Sequence, residues 1–170
     1  DTMHTKKDRE EPIHELKFSP SGQYLAVGSH DNYIDVYDVS KGYGRMGVAK
    51  GHASYIRHLD WSGDSTVLQS NSGDFELLFW EMPSGKQIKF ASDARNIDWS
   101  TWTCAAGWPV QGILPRYSMG TDVLSCDRSH TRTVVASGDE FGTINLYQYP
   151  AHKGCAGRTF GGHSSKVTGV

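Results

Sequence analysis

No apolar run in the chain approaches the roughly 20 residues that a membrane-spanning helix needs. The opening, "DTMHTKKDREEP", is charged where a secretory signal peptide is apolar. A cytosolic protein with no membrane partner is the expectation. Cysteine is scarce and odd in number: Cys104, Cys126 and Cys155 stand 22 and 29 residues apart, which suits neither a disulfide framework nor paired CxxC zinc ligands. Reduced, mostly buried thiols follow, with no metal or other cofactor. Charge of one sign is not in excess either. The 17 basic and 19 acidic side chains leave a formal charge of -2, so no sequence-wide field favours nucleic acid or an anionic surface. Catalytic signatures are missing too, with no G-x-S-x-G elbow, H-E-x-x-H or G-x-x-x-x-G-K-[ST]. His30 beside Asp31 and His58 near Asp60 are local pairs suited to turns and cross-strand contacts. The expectation is a protein that is not an enzyme.

What is present is a repeat. "IHELKFSPSGQYLAVGSHDNYIDVYDVSKG" from Ile13 and "IRHLDWSGDSTVLQSNSGDFELLFWEMPSG" from Ile56 superpose without a gap, pairing Phe18 with Trp61, Asp31 with Asp74 and Tyr37 with Trp80, each 43 residues apart. A fixed period of about 40 to 45 residues is the length of one propeller blade. A third copy, "DVLSCDRSHTRTVVASGDEFGTINLYQYP", puts Tyr147 where the second has Trp80, 67 residues on, so about 24 extra residues have entered before it. Short runs such as "YLAVG", "IDVYD", "LLFW" and "TINLYQY" are rich in β-branched and aromatic residues and are bounded by turn clusters such as "SPSG" and "SGDS". No segment has a helical period. An all-β chain of antiparallel four-stranded blades is predicted: residues 1–12 a linker or boundary, 13–50 and 51–91 two blades, 92–120 a Trp-rich insertion, 121–161 a third blade and 162–170 the first strand of a fourth. Three blades and a strand make a partial propeller, because each blade buries its faces only against neighbours. The remaining blades of a longer parent chain are therefore expected partners.

The second copy resembles the WD-repeat pattern, since Gly51 and His52 precede Trp80 with Asp74 in the turn between. The resemblance implies a hydrogen-bonded network of His52, Ser70, Asp74 and Trp80, structural rather than catalytic. A buried imidazole and a buried carboxylate are each costly alone and tolerable when each satisfies the other. The first copy has Val27 and Tyr37 in place of Ser and Trp, and the third has Phe141 at the turn-Asp position, so only the second is expected to carry the full network.

At the insertion the pattern becomes more particular. "HLDWSGDSTVLQSNSGDFELLFWEMPSGKQ", then "RNIDWSTWTCAAGWPVQGILPRYSMGTDVLSCDRSH", then "GDEFGTINLYQYP" and "GGHSSKVTGV" together resemble the C-terminal propeller of the echinoderm microtubule-associated protein-like family. The likeness covers roughly Ile13 to Val170. Its particular marks are Ile-Asp-Trp, Trp-Thr-Cys and Gly-Thr-Asp in one long inter-blade insert, while Gln111, Leu114 and "RYSM" stand where the family carries an aromatic and acidic run. Membership implies a tandem pair of propellers in the parent, tubulin and microtubules as partners, and a place on the cytoplasmic cytoskeleton or in a ciliary axoneme. The alternative is a WD-repeat adaptor that recruits a signalling or ciliary protein without touching tubulin.

Two sets of residues are candidates for contact with such a partner. In the insertion, Trp99 alternates with Ile97 and faces one side of a strand, so burial is expected for Trp99 and exposure for Trp108. Trp102, Trp108, Pro115, Arg116 and Tyr117 form the candidate patch, because Trp, Tyr and Arg carry much of the energy of protein interfaces. Against an acidic tubulin surface, basic loops matter: Lys41 and Arg45, Lys86 and Lys89, and Arg128 and Arg132.

Overall fold

The computed structural model describes residues 5–114 and 123–170. Twelve strands form three four-stranded antiparallel sheets, each a simple up-and-down meander. The first holds β1 (Ile13–Phe18), β2 (Tyr24–Ser29), β3 (Tyr33–Asp38) and β4 (Gly44–Lys50). The second holds β5 (Ile56–Trp61), β6 (Val67–Ser72), β7 (Leu77–Glu81) and β8 (Lys86–Gln87). The third holds β9 (Val123–Arg128), β10 (Val134–Asp139), β11 (Ile144–Gln148) and β12 (Gly157–Phe160). This is the all-β architecture of consecutive blades of a β-propeller. Two short 3-10 turns, Ala91–Ala94 and Trp108–Ile113, are the only helical pieces among the described residues.

The repeat fixes equivalent backbone at equivalent positions. Between the second and third strands of each sheet, Asn32, Phe75 and Gly142 adopt positive φ of 71°, 62° and 80°. Such a left-handed residue closes a tight hairpin while keeping the right-handed twist of its strands. Each first strand also carries one extra residue, at His14, Arg57 and Leu124, where the register with its neighbour shifts. A bulge of this kind turns its side chain away from the ladder.

The chain divides into two compact units after Ser100. In the first, one core joins both sheets: Ala26, Ile34, Val36 and Ala49 from the first meet Ile56, Leu59, Trp61, Leu68 and Trp80 from the second. Ile56 seats on bare backbone, for a side chain at Gly28 would place its Cβ 2.6 Å from Ile56 Cγ2. Trp61 ties the sheets with an indole N–H donated to the Lys17 carbonyl at 2.9 Å. The equivalent residues 43 earlier, Ile13, Leu16 and Phe18, are more than half exposed.

The second unit runs from Thr101 to Val170 and contains the third sheet. Its last ten residues form no strand, unlike the strand expected over 162–170. Val167 nevertheless docks: its N–H donates to the Asp139 carbonyl at 2.9 Å, and its side chain lies where a Cβ at Gly138 would come within 2.5 Å. Ile56 follows Gly51-His52 as Val167 follows Gly162-His163, and each seats on a glycine of the second strand of a sheet. A strand needs a ladder partner as well as a face to lie on, and the described residues offer this segment only the face.

Candidate functional site

The second sheet encloses the polar network. His52, just before β5, is buried, and its Nε2 lies 2.7 Å from Ser70 Oγ on β6. Trp80 on β7 donates its indole N–H to the same Ser70 Oγ at 2.7 Å. An indole nitrogen only donates, so the Ser70 hydroxyl accepts from Trp80, and in the tautomer protonated at Nδ1 its own proton goes to Nε2. Nδ1 lies 3.3 Å from Glu76 Oε2, an ion-pair distance rather than an aligned hydrogen bond. Burial lowers the pKa of the imidazole, against the opposing charges of Glu76 and Asp74. A neutral ring is the form this geometry fits.

Asp74 departs from its expected place. Its Oδ1 accepts from the Ser72 hydroxyl and from the Glu76 N–H, capping the tight turn, and the Ser72 bond keeps its carboxyl below the usual range. The acid beside His52 Nδ1 is Glu76. An Asp side chain two residues before the end of a turn reaches its own backbone more readily than a ring one strand away.

The first sheet solves the same problem with charge. Arg9 stands 43 residues before His52, inside the segment expected to be a linker or boundary. Its Nε and Nη2 donate to the two oxygens of the buried Asp35 at 2.6 and 3.0 Å, and its Nη1 donates to Asp31 at 3.1 Å. The guanidinium also sits 4.6 Å over the Tyr33 ring. Hydrogen bonding to Asp35 raises the Arg9 pKa further. Tyr37, in the Trp80 position, sends its hydroxyl to Asp8 at 2.9 Å, and burial raises its pKa. In the third sheet Tyr147 takes the Trp80 position and Ser137 the Ser70 position, and burial raises the tyrosine's pKa. Its turn lacks an acid at Phe141, but Asp139 two residues earlier accepts from the Phe141 and Thr143 N–H groups at 3.0 and 2.8 Å.

The insertion is divided between the two units. In the first, Ser100 donates both its N–H and its hydroxyl to the Trp61 carbonyl at 2.9 and 2.8 Å, and buried Trp99 packs against Phe79. In the second, Trp102 is buried, with its indole N–H on the Cys104 carbonyl at 2.9 Å. Its ring lies over Gly107, where a Cβ would stand 2.5 Å from Cζ2. Trp102 is therefore core, not the partner contact expected of it. Trp108 is 62% exposed. Pro115, Arg116 and Tyr117 lie outside the described residues.

The basic candidates also separate. Lys86 and Lys89 are exposed, the former 3.6 Å from Glu81, and Arg132 is exposed. Lys41 pairs loosely with Asp38 at 3.4 Å, and Arg45 reaches Asp35 at 3.5 Å. Arg128 is buried, its guanidinium over the Tyr149 ring at 5.2 Å and bonded to that hydroxyl at 3.4 Å. It is a packed residue rather than a surface contact, because an Arg stem readily lies down along an aromatic face.

The chain matches one family model over residues 1–170, that of the echinoderm microtubule-associated protein second β-propeller. The chain belongs to the echinoderm microtubule-associated protein family. The 77 kDa echinoderm microtubule-associated protein of Strongylocentrotus purpuratus is 49% identical over 173 residues, which cover 99% of this chain and 25% of that protein. Echinoderm microtubule-associated protein-like 4 of Homo sapiens is 46% identical over 99% of this chain and 18% of its own length. Echinoderm microtubule-associated protein-like 2 of Rattus norvegicus is 46% identical over 99% and 26%. The chain thus spans about a quarter or less of these relatives. In this member of the echinoderm microtubule-associated protein family, the exposed candidates that remain among the described residues are Trp108, Lys86, Lys89 and Arg132. Sequence reading missed Arg9 and Glu76, although the 43-residue spacing from His52 marks Arg9 directly.

Proposed function

We propose that this chain binds tubulin in the microtubule lattice directly, without catalysing a reaction, by presenting loops on sheets that are already rigid. Its relatives are named microtubule-associated proteins, and that is the observation which carries the reading. The internal locks support it: with His52 and Arg9 both engaged, the loops of the first two sheets rest on sheets that lose little conformational entropy on docking. Exposed Lys86, Lys89 and Arg132 suit an acidic polymer surface, and Trp108 offers an apolar anchor. The cytoplasmic microtubule cytoskeleton, with the ciliary axoneme as one form of it, is the corresponding location.

Co-sedimentation of the full-length polypeptide with polymer made from purified tubulin tests this. Binding without added factors, falling steadily as salt rises from 50 to about 300 mM because exposed charges are screened, is expected. Pelleting only after a second protein is added would replace direct binding with an adaptor role.

A further inference from the structure

One end of the third sheet gathers cations and no acid on its loops. In an up-and-down sheet the first and third hairpin loops share one end, so residues 129–133 and 149–156 lie together, opposite the Asp139–Glu140 turn. These two loops, "SHTRT" and "YPAHKGCA", hold no acidic residue. His130, Arg132, His152 and Lys153 on them are all exposed. The Tyr149 N–H donates to the Thr133 carbonyl at 2.8 Å and holds the loops side by side. Buried Arg128 adds a fixed positive charge beneath, with half-buried Asp127 the nearest acid on the same strand.

An apolar anchor sits at the same end. The Trp108–Ile113 turn is clamped to the second loop, since Ala151 donates its N–H to the Pro109 carbonyl at 2.7 Å and accepts from Gly112 at 2.8 Å. Gly112 has no room for a side chain, whose Cβ would lie 2.2 Å from the His152 carbonyl. Trp108 therefore stands next to the cationic loops with most of its ring in solvent. Cations that steer and an exposed indole that anchors are the two components of a protein-binding surface. The other end of the sheet carries Asp139, Glu140 and an exposed Phe141, with exposed Lys166 brought there by the Val167 N–H bond to the Asp139 carbonyl.

We infer that this end of the third sheet, built from Trp108, His130, Arg132, His152 and Lys153, is a docking surface for an acidic, extended peptide segment of a protein partner. The inference rests on the binding reading above and assigns it to one end of one sheet. Charge complementarity selects the occupant, and the clamped loops present it with fixed spacing.

The test is the affinity of a fluorescent ten-residue polyglutamate peptide for the full-length polypeptide at low salt. Three variants are compared: R132E with K153E, W108A, and K7E with K50E, both exposed on the first unit, as a control of equal charge change elsewhere. The first should weaken binding about tenfold and flatten its salt dependence. W108A should weaken it severalfold at every salt concentration, and the control should leave it within twofold. Equal loss in the control and the R132E/K153E protein would show a net-charge effect and overturn the inference, as would unchanged affinity in R132E/K153E. Microtubule co-sedimentation of the same variants separates the two failures. Lattice binding that survives while the peptide result is negative refutes this surface alone, and no lattice binding in the unmodified protein refutes the wider reading.

Discussion

Removing the Arg9 side chain should destabilise the first sheet more than any other single surface-proximal change. Asp35 is 1% exposed, and Arg9 supplies two charge-assisted hydrogen bonds to it. In Arg9→Ala the carboxylate stays buried with only the longer Arg45 contact, 3.5 Å away. Breaking a buried pair from one side costs about 3–5 kcal/mol. The Arg9 side chain is itself 18% exposed and water will reach the gap, so about 3 kcal/mol is expected. For a chain of this size that is a fall of roughly 6–12 °C in midpoint. Arg9→Lys keeps the charge but not the fork, and should lose about 1–2 kcal/mol. The repeat supplies the decisive control, because Leu78 occupies in the second sheet the place that Asp35 has in the first. Arg9→Met with Asp35→Leu removes both charges and should recover most of the loss. Chemical denaturation of the unmodified protein, Arg9→Met, Asp35→Leu and the double variant, read as a double-mutant cycle, measures the coupling. A loss under about 0.5 kcal/mol for Arg9→Ala, or a double variant no better than the single, would refute the claim that a buried ion pair replaces the histidine network.

Ser70→Ala leaves the Trp80 indole N–H and His52 Nε2 both buried without their partner and should cost about 2–4 kcal/mol by denaturant unfolding. The pH dependence follows from His52, whose folded pKa lies below its unfolded value because it is buried. The unfolded chain takes up that proton first, so stability is complete above about pH 6.5 and declines as pH falls below it. His52→Gln should flatten this slope between pH 6.5 and 5. A smaller slope should persist from His14, whose pKa burial and nearby His30 and Arg57 also lower, and should vanish in a further His14→Asn variant.

Much of the architecture was legible because it is periodic. The 43-residue step reproduces turns, bulges and core positions with the same chemistry, and alternation placed Trp99 inside. The locks were less legible, since a repeat position records where a side chain starts and not where its polar end finds a partner. Arg9 does the work of a histidine with a different charge, so a search for His, Ser and Trp passes over it. Glu76 displaces Asp74 because two acids on one tight turn compete and the shorter one bonds its own backbone. Trp102 and Arg128 looked like contact residues by type. Trp102 is buried because Gly107 leaves room for an indole, and Arg128 because Tyr149 offers its ring, both facts of three-dimensional packing.

The proposed function requires direct contact between these sheets and the microtubule lattice. Electron cryomicroscopy of microtubules decorated with the full-length polypeptide tests it. Density for the three sheets should touch tubulin through exposed loops, with Trp108, Arg132 and Lys153 at the boundary. Decoration in which these sheets stand clear of the lattice, or none at low salt, would contradict it.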